Sequence, residues 1–105
     1  MAAPDPANIL PLEGEIDLHV APRVESALGR IIKKRPDHVI VDLSGVNFID
    51  SSGLAVLINA MQDVQKYGGK LSLAGISADV RSIFEMARLD QVFLIDSQDE
   101  WLAAD

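Results

Sequence analysis

The chain contains no cysteine, so it has neither a disulfide framework nor a thiolate site, a composition that suits a reducing cytosol. Aromatic residues are scarce at 5%, and the expected core is therefore aliphatic, drawn from Ile, Leu, Val and Ala, as in layered helix and sheet proteins. Basic residues are in the minority, with nine Lys and Arg against sixteen Asp and Glu and a net charge of −7. That balance disfavours nucleic acid and anionic membrane as partners, because both reward clustered cations. It leaves room for a basic protein partner. No apolar run approaches the roughly 18 residues of a spanning helix, and the N-terminus lacks the basic and hydrophobic regions of a signal peptide. The expectation is a cytoplasmic protein without direct membrane insertion.

At 105 residues, the chain has room for one compact domain, which buries roughly two-thirds of its unfolded surface around one core. Residues 1–7 carry two prolines and no apolar periodicity, and are read as a flexible lead-in to a domain over 8–105. Asn8 to Glu13 suggests a strand, but Pro11 cannot donate a ladder hydrogen bond and pushes it to a sheet edge or a bulge. From Val20, the spacing of Val24, Ala27, Leu28, Ile31 and Ile32 predicts a helix with Pro22 in its first turn, closed by Pro36. His38 to Leu43 is short and rich in branched residues, as a buried strand is, and Ser44 with Gly45 reads as a turn after it.

Between Ser51 and Lys66, the positions of Leu54, Leu57, Ile58, Met61 and Val64 share one helical face, and Gly68 with Gly69 supplies a left-handed stop. Lys70 to Ala74 predicts a further strand. Ala78 to Ala87 predicts a helix capped by Ser77, with Val80, Ile83, Phe84 and Ala87 inward. Val92 to Ile95 reads as the last strand. Ser97 and Glu100 form a capping box for a short helix through Trp101 and Leu102. Strand and helix alternate throughout, which implies right-handed crossovers and an α/β fold with a small, mostly parallel four-stranded sheet and four helices.

Residues suited to catalysis are few. His19 and His38 lie far apart, His38 begins a strand, and their spacing supplies neither a partner nor a cleft for a general base. No GxSxG, HExxH, GxxxxGK[ST] or GxGxxG pattern occurs. Asp42 and Asp50 flank a strand end as the carboxylates of a phosphoaspartate receiver do, but the acidic candidates Glu15 and Asp17 follow Pro11 and no lysine lies beyond Lys70. The simpler account makes Asp42 a strand-end residue satisfied by backbone donors and Asp50 a helix cap. A binding protein without cofactor or metal is the expectation, and a small phosphotransfer enzyme is the minority reading.

Val46 to Leu57, VNFIDSSGLAVL, is the most informative stretch. Asp50, Ser51 and Ser52 are all residue types that cap a helix. One cap does not require two serines and a glycine together, and Gly53 in a first turn costs about 0.5 to 1 kcal/mol relative to Ala. A small, hydroxyl-bearing helix tip makes sense where another protein must approach. The positive end of the helix dipole also accommodates a phosphate. Ser51, Ala55, Asn59, Gln62 and Lys66 project along a polar flank of this helix, which reads either as an ordinary solvated face or, given the tip, as a docking surface.

These residues resemble the STAS family, and within it the stand-alone antagonists of anti-sigma factors. The resemblance rests on GEID at Gly14 to Asp17, VIVDLSGVNFIDSSGL at Val39 to Leu54, YGGKLSLAGIS at Tyr67 to Ser77 and VRSIFEMARLDQVFLI at Val80 to Ile95. It implies partner switching. The unphosphorylated protein would bind an anti-sigma factor that is also a serine kinase, the kinase would phosphorylate Ser51 and so release it, and a metal-dependent serine phosphatase would reset it. Local chemistry treats Ser51 and Ser52 alike, so the choice of Ser51 comes from the resemblance. The contact surface it implies gathers Glu15, Asp17, Asp50, Ser52 and Gly53, and with Asn47 and the helix-flank residues Ala55 and Asn59 these make up the expected partner-binding residues. A STAS subunit of a membrane transport complex, binding its ATPase without phosphorylation, is the alternative. Family members usually begin with a hairpin strand for which this chain has little room, which would leave Pro11 on an exposed edge that could support a dimer.

Overall fold

The computed structural model of the chain describes residues 5–95. Asp5 accepts the amide of Ala7 at 2.9 Å and starts a single 3-10 turn, Pro6–Asn8, so residues 6 and 7 belong to a turn where a flexible lead-in was expected. After it come β1 (Ile9–Ile16), α1 (Ala21–Ile32), β2 (His38–Ile49), α2 (Ser51–Lys66), β3 (Lys70–Ala74), α3 (Ala78–Met86) and β4 (Leu94–Ile95). The strands lie in the order β1-β2-β3-β4, and every adjacent pair is parallel. Three of them are substantial and β4 contributes only two residues. Three of the four expected helices are found, and the fourth, over 97–102, lies outside the described residues.

The helix ends follow local chemistry. Asp50 accepts the amides of Ser52 and Gly53, and Ser77 Oγ accepts the amide of Val80 at 3.2 Å, so both caps are as expected. Gly68 stops α2 with φ +87°, a left-handed conformation that costs glycine nothing. Tyr67 then ties this end to the chain before β2, since its hydroxyl donates to the Pro36 carbonyl at 2.8 Å and the Arg35 guanidinium lies 5.9 Å from its ring centre. Burial pushes the Tyr67 hydroxyl pKa up, helped by the Asp37 carboxylate and opposed by Arg35. On β3, the buried Ser72 hydroxyl is paired with His38 Nε2, so it carries no unmet hydrogen bond.

β1 and β2 depart from expectation in length. No turn forms at Ser44 and Gly45, and β2 continues through both to Ile49, while β1 continues past Glu13, where the expected strand ends, to Ile16. The two strands stay paired by means of register shifts between Pro11 and Glu13 and between Gly14 and Glu15. Gly45 eases the first: a Cβ there would lie 3.0 Å from Glu13 Cβ and 3.1 Å from the Leu12 carbonyl, so a larger residue would require the neighbouring strand to give by a few tenths of an ångström. The second leaves Asn47 without a cross-strand partner, the extra residue of a bulge. As Pro11 indicated, β1 is an edge strand, and the proline with the two irregularities blunts that edge against further strand pairing.

The core lies on one face of the sheet. Val39 and Val41 of β2 pair with Leu71 and Leu73 of β3 and, with Leu43, form its floor, and Val24 and Leu28 of α1, Leu57, Met61 and Val64 of α2, and Val80 and Phe84 of α3 cover it. Phe84 also meets Phe93 edge to face, with ring centres 5.7 Å apart. Ala87, expected inward, is exposed where α3 ends, and Val92, expected in the last strand, is exposed in the turn before it.

Candidate functional site

The carboxyl ends of β1 and β2 are held side by side, since Ile16 pairs with Ile49 and the Asp50 amide donates to the Ile16 carbonyl at 3.0 Å. Each strand then delivers an aspartate into a turn that opens a helix. Asp17 Oδ1 accepts the amides of His19 at 3.0 Å and Val20 at 3.2 Å, and its carbonyl accepts from Ala21 at 2.8 Å. Asp50 Oδ1 accepts from Ser52 at 2.9 Å and Gly53 at 3.1 Å, and its carbonyl from Leu54 at 2.9 Å. Both carboxylates thus accept amides at the opening of a helix, the Val20 amide being shared with the Asp17 carbonyl at 3.1 Å. Their first task is to build the tip.

Ser51 is the first residue of α2 and is exposed, whereas Ser52 is half-buried. Among the described residues the Ser51 hydroxyl has no protein hydrogen-bond partner. Burial separates two serines that the sequence alone presents as equals. Ala55 and Asn59 are exposed on the same flank of α2, and Glu15 and Asn47 are exposed on the adjoining strands.

Gly53 does not belong to that surface. It is buried, and a Cβ at this position would lie 2.7 Å from Ile49 Cγ1 and 2.9 Å from both Ile16 Cγ2 and the Ile16 carbonyl. The glycine is there so that α2 can start directly against the strand ends. Its smallness serves the interior, which corrects its placement on the contact surface.

Two large apolar residues beside the tip escaped sequence reasoning: Leu18 is 66% exposed and Phe48 is 45% exposed. Strict alternation puts Val46 and Phe48 on one face, and Val46 is in the core. The bulge at Asn47 breaks the alternation and turns Phe48 outward, opposite the exposed Glu15. Nothing in VNFI announces that. No group of three His, Asp or Glu that could hold a metal occurs among the described residues, and none of their helices is long and apolar enough to cross a membrane.

The fold has known counterparts. An anti-sigma-B factor antagonist of Listeria monocytogenes is 33% identical over 82 residues, which cover 78% of this chain and 72% of that protein. The crystal structure of an anti-sigma factor antagonist from Mycobacterium paratuberculosis superposes with a TM-score of 0.80 at 28% identity, covering 98% of this chain and 90% of that one. The unphosphorylated form of SpoIIAA, an anti-sigma factor antagonist, has the same fold, with a TM-score of 0.77 at 23% identity over 92% of this chain and 84% of its own. The family model for the STAS domain matches residues 1–100, and the chain belongs to the STAS domain family.

Proposed function

We propose that this protein is an anti-sigma factor antagonist that works by partner switching, as a binding protein and not as an enzyme. The observation that carries the reading is the exposed Ser51 at the first position of α2, in a chain 33% identical to a relative named an anti-sigma-B factor antagonist. In its unphosphorylated form the chain binds an anti-sigma factor that is also a serine kinase. Ser51, Ala55, Asn59, Glu15 and Asn47 form the exposed contact surface, with Asp17, Asp50 and Ser52 shaping it from beneath. Phe48 and Leu18 add apolar contact at its margin. The reading as a subunit of a transport complex is not favoured.

Phosphorylation of Ser51 adds about −1.5 to −2 charges beside Asp17 and Asp50. The helix itself tolerates the group, because the amino end of α2 carries positive partial charge. The partner interface does not. Burying a phosphate there without a matching cation costs several kcal/mol, and each 1.4 kcal/mol is tenfold in affinity. Release therefore follows from desolvation and repulsion with the fold unchanged, and a metal-dependent serine phosphatase restores the binding form. The cycle runs in the cytoplasm, within a single STAS domain.

The test is incubation with the anti-sigma kinase of the same genome and ATP, read by intact mass. The wild type gains one phosphate and Ser51→Ala gains none, while Ser51→Ala still binds the kinase. Ser51→Asp binds at least tenfold more weakly with its melting temperature nearly unchanged. Phosphate retained by Ser51→Ala would sink the assignment of the residue.

A further inference from the structure

We infer that the amino ends of β2 and β3 form a second protein-docking surface, in which Lys33, Lys34, Arg35 and Lys70 bind a carboxylate-rich segment of a partner. This surface lies apart from Ser51 and stands independently of the proposed function above. Six of the nine Lys and Arg residues fall in two short stretches, Arg30 with Lys33, Lys34 and Arg35, and Lys66 with Lys70. The fold brings the two stretches together: the Tyr67 hydroxyl reaches the Pro36 carbonyl, the Lys70 amide donates to the Asp37 carbonyl at 2.9 Å, and Lys70 pairs with His38 across the sheet.

Two of the six have a structural reason. Arg30 lies in the last turn of α1 and Lys66 in that of α2, where a cation offsets the partial negative charge of the final carbonyls, and Lys66 also meets Asp63 at 3.5 Å. The other four are surplus to that need. Lys33, Lys34, Arg35 and Lys70 are exposed and make no ion pair among the described residues. Asp37 and Asp63 are the acidic residues of these stretches; Lys66 takes Asp63, and Asp37 by itself does not balance four cations. Arg35 adopts φ +52°, a left-handed backbone for which glycine is the unstrained choice. The chain places an exposed guanidinium there instead, and its position 5.9 Å from the Tyr67 ring centre orients the charge without neutralising it.

Charge fixes the chemistry of the occupant. Uncompensated cations at one end of a chain whose net charge is −7 attract an anion locally, but the rest of the surface is more acidic still and repels an extended polyanion such as a nucleic acid or an anionic bilayer. A short run of Asp and Glu on a protein meets the first condition and escapes the second. Ser51 follows the opposite end of β2, beyond twelve residues of strand. That length spans several Debye lengths of about 8 Å at physiological salt, so charge on Ser51 is not felt here and both ends can be occupied at once.

The experiment titrates the full chain with a fluorescein-labelled hexaglutamate peptide at physiological salt, with hexaglutamine, an oligothymidylate and phosphatidylglycerol vesicles as the other probes. The wild type binds hexaglutamate and none of the others. Lys34→Glu with Lys70→Glu in one chain weakens binding at least tenfold at a nearly unchanged melting temperature, and the loss shrinks as salt is raised. Arg23→Glu with Arg81→Glu changes the net charge equally, but those residues are exposed in the first turns of α1 and α3, and Kd stays within twofold. Arg35→Gly melts at or above the wild type yet binds more weakly, because glycine relieves the left-handed backbone and removes the cation. Equal losses from the two double variants would show a response to net charge alone and overturn the inference. Failure to bind hexaglutamate, or equally tight binding of oligothymidylate or vesicles, overturns it too. Should the Lys34 and Lys70 double variant fold poorly, unchanged binding by Arg35→Gly has the same force.

Discussion

Single residues carry opposite meanings in this chain according to what lies across from them. Gly53 and Gly29 are both helical glycines, and propensity alone predicts that alanine stabilises either by about 0.5 to 1 kcal/mol. Gly29 follows that rule because its Cβ would enter open space, but Gly53 does not, because Ile16 and Ile49 occupy the volume. Gly53→Ala should therefore lower stability by about 1–3 kcal/mol. Urea denaturation of the two alanine variants checks this, and a more stable Gly53→Ala would show that α2 can shift away from the strand ends at no cost. Ser51 was legible as a candidate from its company of cap residues, and its exposure is what sets it apart from Ser52. Phe48 was not legible at all. Its direction depends on a bulge that exists only when β2 is paired with β1.

At the scale of elements, the sequence marks helices better than strands. Both ends of α2 were readable, since Asp50 caps its start and Gly68 turns left-handed at its end, and those are contacts within a few residues. The extent of β2 was not, because Ser44 and Gly45 carry turn chemistry and become strand only by lying against Leu12 and Glu13. Tyr67 gives the junction after α2 a pH dependence of known sign. Its pKa is raised in the folded protein from an ordinary value of 10.0. Its contribution is therefore fully present below that pH and is lost as pH rises through the folded value. Tyr67→Phe should lose about 1 kcal/mol at neutral pH, the worth of the hydrogen bond to Pro36. Above pH 10.0 its melting temperature should fall less than that of the wild type. Parallel melting curves across that range in both proteins decide it.

For the molecule as a whole, one core on one face of a parallel sheet has to hold three helices. Among the described residues Phe84 is its largest fully buried side chain, and it links α3 to Phe93. Phe84→Ala should cost about 3–5 kcal/mol, read from chemical denaturation, and a loss below 1 kcal/mol would mean that α3 is not part of the cooperative unit. The sequence by itself determined the alternation of strands and helices, the aliphatic core, the caps and the acidic balance, because periodicity, capping and charge are properties of neighbours along the chain. Only the tertiary structure decided the extension of β1 and β2, the burial of Gly53 and the outward turn of Phe48. Each of those depends on residues far apart in sequence meeting at a few ångströms, and the closeness of Ile16 to Gly53 or of Glu13 to Gly45 cannot be read from either segment alone.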